Sequence, residues 1–308
     1  MISKSIGVNL MNNINDNWKN TLHSNLIASI INGSNTNESV LEEIGYCYTY
    51  CAPAFIYKYY RDNANTLQNI KANKIWFSAP CNFNDVFDCD IRFDQKQIFQ
   101  SSLQFAPNKR EILPGSPMWN NLNKTISNEL RTLKNTFEKF KTTTGITCFS
   151  EADDSLLMWA HYANNHSGIC VEYELLEINK QVGYSPVPVI YSDEKSTFSS
   201  FTPKTVEQNT ISAFIKSLTS KSSEWSYEKE WRIIQDEEAC GINWDTKNKG
   251  ALLNIIRPHA IILGCMANAD FENEIHKYCK ENNINLYKMV KNNDLYKLDK
   301  TPILQFDE

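Results

Sequence analysis

The segment at residues 145–173, GITCFSEADDSLLMWAHYANNHSGICVEY, constrains the fold more than any other part of the sequence. It starts with an apolar run typical of a buried strand, and residues 150–155 then supply turn formers and capping side chains for a helix. The polar run at residues 164–168 ends that helix early, and we expect Gly168 to take a positive φ there. From Ile169 onward apolar and polar residues alternate, with the two-residue period of a half-buried strand. The segment therefore predicts two strands joined by one short helix.

Polar and aromatic side chains are concentrated on this short helix and directly after it. They are Trp159, His161, Tyr162 and His166. Because the helix is held between two strand ends, we expect these side chains near the edge of a sheet, where sites are often built. Each also has a simpler explanation, since tryptophan anchors cores and histidine caps helices or is satisfied inside them. The sequence leaves both interpretations open.

The composition predicts a folded protein with no general electrostatic attraction to nucleic acid and no membrane span. Of the 308 residues, 42% are hydrophobic and 22% are charged, which supports a sizeable core and argues against disorder. A formal net charge of −5 gives no general attraction for nucleic acid. The N-terminus is too polar for a signal peptide, and no apolar run approaches the roughly 18–20 residues that span a bilayer. We therefore expect a cytoplasmic protein.

The cysteines favour a reducing compartment. There are nine, scattered along the chain, and an odd number without a secretion signal predicts free thiols. Cys47 and Cys51 have the spacing of half a metal site, but no second pair follows them. Two ordinary thiols are the simpler interpretation.

The hydrophobic pattern predicts a helical N-terminal extension, residues 1–50, followed by a single α+β domain, residues 51–308. Within the domain, residues 95–140 predict a helical insertion, with its clearest helix at residues 128–141. Several β-prone runs predict a mixed or antiparallel sheet core with surrounding helices. Residues 298–306 are expected to form a tail.

Two β-prone runs that precede residue 145 bring further candidate residues. Lys58 and Tyr59 lie among aromatic residues in the first, and Ser78 ends the second. A turn-rich loop then carries Asn84 and Asp85. Because such side chains commonly bond backbone groups of their own loop, a structural role and a ligand contact are both open for this pair.

A second dense segment, WSYEKEWRII at residues 225–234, predicts a strand. Strand alternation places Glu228, Glu230 and Arg232 on one face. Two carboxylates and a guanidinium together form either a salt-bridged surface or a site, and the pattern alone does not decide between the two.

Three blocks of sequence together resemble a known family. They are FIYKYYR…IWFSAPCNFNDVFDC, ITCFSEADDSLLMWAHYANNHSGICVEY and WSYEKEWRII. They are similar to the bacterial family catalogued as domain of unknown function 2971, over residues 55–265. The name of that family states no function.

The order of these blocks more remotely resembles ADP-ribosyltransferase-like folds. That resemblance implies an enzyme that uses NAD, in which Lys58 helps to hold the ribose and phosphates and Ser78 shapes the nicotinamide pocket. Glu230 would stabilise the oxocarbenium-like centre as nicotinamide leaves, and Glu228 would orient or deprotonate the acceptor. Lys58 departs from the pattern, because that group has His or Arg at this place and lysine lacks a bidentate fork.

The same resemblance implies the acceptor class and the setting. The acceptor would be a protein or a nucleic acid, and the setting would be bacterial conflict or phage defence. With Glu228 and Glu230 as the catalytic carboxylates, the candidate residues for binding NAD or another nucleotide are Lys58, Tyr59, Ser78, Asn84, Asp85, Trp159, His161, Tyr162, His166 and Arg232.

Two other classes of function remain open. The first is a non-enzymatic sensor module that binds a nucleotide or a partner. The second is a metal-dependent nuclease, in which the tripeptide at residues 193–195 (Asp-Glu-Lys) would act with Asp85 or Asp88. A zinc site from His161, His166, Cys148 and Cys170 lacks the usual ligand spacing. Geometry separates the enzyme from the sensor module, since an enzyme needs Lys58 and Glu230 at one open cleft, whereas a structural cluster holds Arg232 between the glutamates.

Overall fold

A computed structural model of the protein describes residues 17–107, 109–201 and 206–306. The α-helices of these residues are α1 (Trp18–Asn32), α2 (Glu38–Tyr46), α3 (Ala64–Lys71), α4 (Gln95–Phe105), α5 (Pro117–Thr143), α6 (Leu156–Tyr162), α7 (Leu175–Val182), α8 (Val206–Leu218), α9 (Glu237–Cys240) and α10 (Ala269–Asn282). The strands are β1 (Phe55–Tyr60), β2 (Lys74–Ser78), β3 (Arg92–Phe93), β4 (Thr144–Ser150), β5 (Ile169–Glu174), β6 (Val187–Pro188), β7 (Ile190–Tyr191), β8 (Thr197–Phe198), β9 (Ser220–Lys221), β10 (Glu230–Asp236), β11 (Trp244–Asp245), β12 (Gly250–Asn254), β13 (Ala260–Leu263), β14 (Asn285–Lys291) and β15 (Leu298–Leu304).

The chain forms two compact units, and each is built from three separate stretches. The helical unit comprises Met1–Cys47, Ala79–Thr143 and Ile190–Ser223. The sheet unit comprises Tyr48–Ser78, Thr144–Val189 and Glu224–Glu308. The division into an extension at residues 1–50 and one domain at residues 51–308 stays a prediction, and its first 16 residues lie outside the described part.

The sheet unit contains a sheet of eleven strands among the described residues. Its main order is β11-β12-β2-β4-β1-β5-β13-β14-β15, while β10 pairs with β4 and β6. Neighbouring strands are antiparallel except β13 and β14, which are parallel. The expected α+β class with a mixed sheet is therefore confirmed. Residues 298–306, expected as a tail, instead supply the edge strand β15, which pairs with β14.

The segment at residues 145–173 folds as predicted, into β4, α6 and β5. One detail is wrong, because Gly168 does not take a positive φ. Asn164, Asn165 and His166 take it instead, with φ of 47°, 54° and 69°. Gly168 is needed for a different reason, since a Cβ there would overlap the carbonyl oxygen of Tyr60.

The helical unit has its own apolar core. Ile98 of α4, Phe137 of α5 and Phe214 of α8 are among its buried members, and the rings of Phe137 and Phe214 lie 4.8 Å apart. Helices do occupy the stretch at residues 95–140, but the second begins at Pro117, well before residue 128. Proline suits the first turn of a helix, and the Ser116 hydroxyl accepts a hydrogen bond from the Trp119 amide at 3.1 Å, which caps it.

We expect Gly168→Ala to lower the free energy of unfolding by about 3 kcal/mol or more, because backbone atoms must move to admit the methyl group. Gly45→Ala is the control, since its Cβ would meet nothing within 4 Å and alanine favours α2 by about 0.5–1 kcal/mol. Urea unfolding of both variants measures the difference. Equal stabilities would contradict the close approach at residue 168.

We expect His23 to make the stability of the protein depend on pH. It is buried in α1, its Nε2 lies 2.5 Å from the Thr219 hydroxyl, and burial, followed by the charge of Lys216, lowers its pKa to about 4. Between pH 4 and 6.5 the unfolded chain therefore binds more protons than the folded one. The free energy of unfolding should fall by up to about 3 kcal/mol as the pH drops through this window.

The His23→Gln variant should lose this part of the pH dependence, because glutamine does not titrate. His276→Gln on α10 is the matched control and should keep the wild-type profile. Urea unfolding at several pH values gives the measurement, and identical profiles for wild type and His23→Gln would show that His23 is not the group responsible.

Candidate active site

The segment at residues 225–234 is a strand only from Glu230 onward. Ser223–Glu228 forms a 3₁₀ helix, and Lys229 has a positive φ of 45°. The expectation that alternation places Glu228 on the strand face with Glu230 is therefore wrong. The Lys229 amide donates to the Ser226 carbonyl, and this turn ends the strand pairing before Glu228 is reached.

Glu228 is nevertheless buried, and α6 contacts it. The Tyr162 hydroxyl donates a hydrogen bond of 2.6 Å to Glu228 Oε1, and the carboxylate residue is 3% exposed. The Ser150 hydroxyl donates to the Glu228 backbone carbonyl at 2.6 Å. The segments at residues 145–173 and 225–234 are thus in contact, through Tyr162 and Glu228.

Glu230 and Arg232 form a paired unit on one face of β10. Arg232 Nε donates to Glu230 Oε1 at 2.7 Å, and Arg232 Nη2 donates to Oε2 at 3.1 Å. Glu230 is 4% exposed and Arg232 is fully buried. A planar guanidinium that meets both carboxylate oxygens fixes the orientation of the carboxylate as well as its position.

Beside this pair, one edge of β4 is shared by two strands, β1 and β2, and we call this place the fork of the sheet. β10 pairs with β4 along the whole of β4, so the other edge of β4 must serve two strands. On that edge Ser150 pairs with Tyr57 of β1, and Ile146 pairs with Ser78 of β2. Cys148 lies between these two positions and faces Arg232 in the register with β10.

Lys58 occupies the fork. Its Nζ donates a hydrogen bond of 2.9 Å to the backbone carbonyl of Cys148, which lies between the two pairing positions. Burial lowers the pKa of Lys58, although the nearby Cys148 thiol and the Glu230 carboxylate act in the opposite direction. Its ammonium group also lies 5.5 Å from the ring centroid of Phe149. The Glu230 carboxylate is thus close enough to Lys58 to affect its pKa.

The surroundings of Cys148 do not favour a thiolate. Burial raises the pKa of its thiol well above the ordinary value, and the charge of Glu230 raises it further. Arg232 and Lys58 favour the thiolate, but they are smaller influences. The thiol therefore stays protonated at neutral pH.

Two of the predicted binding residues, Trp159 and Tyr59, hold a loop in place. The Trp159 indole donates to the Asp153 carbonyl at 2.7 Å, and the Tyr59 hydroxyl donates to the Ala152 carbonyl at 2.7 Å. Trp159 is fully buried, and its ring meets Tyr59 edge-on at 5.2 Å. These contacts support the core-anchor interpretation of Trp159.

The other predicted residues lie in three places, on α6, in the turn after it and in the helical unit. His161 is exposed, and His166 lies in the left-handed turn, where burial and the charge of Lys291 lower its pKa. Asn84 and Asp85 belong to the helical unit, where Asp85 Oδ1 accepts from the Phe87 amide at 2.9 Å. That bond is the loop-stabilising role considered for Asp85.

Sequence reasoning missed one ionic network in the sheet unit. Lys300 of β15 contacts Asp153 at 2.9 Å and buried Glu172 at 3.2 Å, and His259 lies 3.7 Å from Glu172. The alternation of Glu172 with apolar neighbours places it inside a strand, which was a signal for a buried charge. Its partner Lys300 could not be inferred, because it comes from the segment expected to be a tail.

The candidate metal residues do not assemble into a ligand set. In the described ranges, no group of three or more His, Cys, Asp or Glu side chains could hold a metal ion. Lys195 of the tripeptide at residues 193–195 instead pairs with Asp90 at 2.5 Å. Of the helices in residues 17–306, none that the structure describes has the length and apolar character needed to cross a membrane.

Comparison with known families supports the resemblance. The family model described as "Protein of unknown function (DUF2971)" matches residues 158–233. The segment at residues 158–233 is therefore similar to this family. No curated protein and no solved structure matches it. The DUF2971 segment contains Tyr162, Glu228, Glu230 and Arg232, whereas Lys58 lies before it.

We expect Arg232→Met to cost roughly 3–5 kcal/mol of stability, because it leaves the Glu230 carboxylate buried without its guanidinium. The double variant Glu230→Leu/Arg232→Met should recover at least half of that loss, because it removes both buried charges. Urea unfolding of the two single variants and the double variant gives the coupling free energy. A coupling near zero would mean that the pair is not an energetic unit.

Proposed function

We propose that the protein is an ADP-ribosyltransferase-like enzyme that uses NAD at the cluster of Lys58, Glu228, Glu230 and Arg232. The observation that carries the proposal is the placement of two buried carboxylates, each fixed by a hydrogen-bond donor, beside a half-buried lysine at the fork of the sheet. Buried charges are costly, so a protein that gathers several of them commonly uses them in a site.

The proposed reaction is transfer of ADP-ribose to an acceptor. The bond between the ribose C1′ and the nicotinamide nitrogen breaks, and nicotinamide leaves with the bonding electrons. Positive charge develops at C1′, and the fixed Glu230 carboxylate stabilises it. The acceptor then attacks C1′ and gives its proton to Glu228, which Tyr162 orients. The acceptor would be a protein or a nucleic acid side group.

A second candidate is a non-enzymatic sensor module that binds a nucleotide or a partner. Arg232 occupies both oxygens of Glu230, and this favours a structural use of the pair. Such a module would bind NAD or another nucleotide without breaking it. Binding and turnover therefore separate the two candidates.

The test is release of nicotinamide from NAD, together with transfer of adenylate-labelled ADP-ribose into bacterial lysate. Wild type should turn over NAD, and Glu230→Gln should lose about two orders of magnitude or more in rate, as expected for loss of a transition-state carboxylate. Glu237→Gln is the control, because it makes the same chemical change on the nearby exposed helix α9.

Thermal melting accompanies each assay, so that misfolding is not mistaken for lost catalysis. NAD that raises the melting temperature of wild type without turnover would favour the sensor module. Neither turnover nor a thermal shift at millimolar NAD would rule out both uses of NAD. A role in phage defence is part of the same proposal and depends on the activity being present.

A further inference from the structure

A groove runs along α5 in the helical unit, and α4 forms its second wall. It has a volume of 330 Å³. The α5 positions that line it begin at Asn123 and end at Asn135, and they recur every three or four residues, so they form a single stripe of the helix. At 1.5 Å per residue this stripe is about 18 Å long. A groove so long and of so small a volume is narrow, and it suits an extended chain better than a compact ligand.

The floor of the groove is apolar and its walls are polar. The floor is formed by Phe99, Ile126 and Leu130, and the last two also belong to the core of the helical unit. Side-chain amides stand along it, from Gln95 on α4 and from Asn123 and Asn135 on α5. Amide groups can both donate to and accept from a peptide backbone, which presents one N–H and one C=O per residue.

The charged side chains that line the groove are basic. Arg131 and Lys134 line it, and among the described residues no acidic side chain does. Both are exposed, and neither forms an ion pair with another described residue. Arg131 Nη2 lies 3.4 Å from Asn128 Oδ1, and Lys134 Nζ lies 5.5 Å from the ring centroid of Phe93. The whole of α5 carries five basic and two acidic side chains, although the chain as a whole has a net charge of −5. The groove is therefore a basic stripe on an acidic protein.

We propose that this groove binds an extended acidic peptide segment of a partner protein. Arg131 and Lys134 would pair with its carboxylates, the amides would bond its backbone, and one apolar side chain would lie on the floor. A nucleic acid fits less well, because the groove supplies two cations and an apolar floor but no line of aromatic faces for bases. This inference does not depend on the NAD proposal, since its residues lie in the helical unit.

The test is fluorescence anisotropy with the full-length protein and a labelled octapeptide that alternates glutamate with other residues around a central leucine. We expect a dissociation constant of tens of micromolar at low salt, weakened as salt is added. The double variant Arg131→Gln/Lys134→Gln should bind at least about tenfold more weakly, which corresponds to ~1.4 kcal/mol.

The matched control is Lys124→Gln/Lys139→Gln, which removes the same charge from α5 outside the groove. It should bind within about twofold of wild type, and circular dichroism should show that both variants are folded. The same peptide with glutamine in place of glutamate should not bind. An equal loss in both double variants, or no binding by wild type at about 1 mM peptide, would overturn the proposal. Tighter binding of a labelled single-stranded oligonucleotide than of the peptide would also overturn it.

Discussion

Backbone hydrogen bonding along β4 determines where the buried polar groups of the sheet unit can lie. One edge of β4 is filled by β10, and the other edge is shared by β1 and β2. A strand whose neighbours diverge leaves a carbonyl that still needs a donor, because a buried unpaired carbonyl costs about as much as a lost hydrogen bond. Lys58 supplies that donor at Cys148. A hydrogen-bond donor is therefore required at this place in the sheet, and the Glu230 carboxylate lies close enough to Lys58 to influence its pKa.

Burial of the charged side chains Glu228, Glu230 and Arg232 costs stability, although a catalytic or binding role would need them. Arg232 compensates Glu230 through two short hydrogen bonds, and Tyr162 compensates Glu228 through one. A pair of hydrophobic residues would fill the same space at lower cost, since desolvation of an ion pair often exceeds its Coulombic gain. The burial of Glu228, Glu230 and Arg232 thus lowers the stability of the fold. A catalytic or binding role would explain their presence.

The sequence allowed the elements around the cluster to be predicted more reliably than the contacts within it. Strand and helix periodicity located β4, α6 and β5, because each has a clear apolar pattern and a clear stop signal. The same alternation failed at Glu228, where a 3₁₀ helix and a left-handed Lys229 interrupt the strand. Strand register is set by pairing between residues that are far apart in sequence. The pairing of Cys148 with Arg232 therefore could not be predicted from the residues around either of them. The edge strand β15 was missed for a related reason: its burial pattern is mostly exposed and it contains a proline.

The interleaved course of the chain has a consequence for dissecting it. Each compact unit is assembled from three stretches that are far apart in sequence, and the chain leaves one unit for the other five times. A fragment cut at the limits of the family match, residues 158–233, would contain parts of both units and the whole of neither. It would keep most of β10 but lose β4, to which β10 is paired along its whole length. The matched segment is accordingly part of a larger structure, and it lacks the strand that β10 needs as its partner.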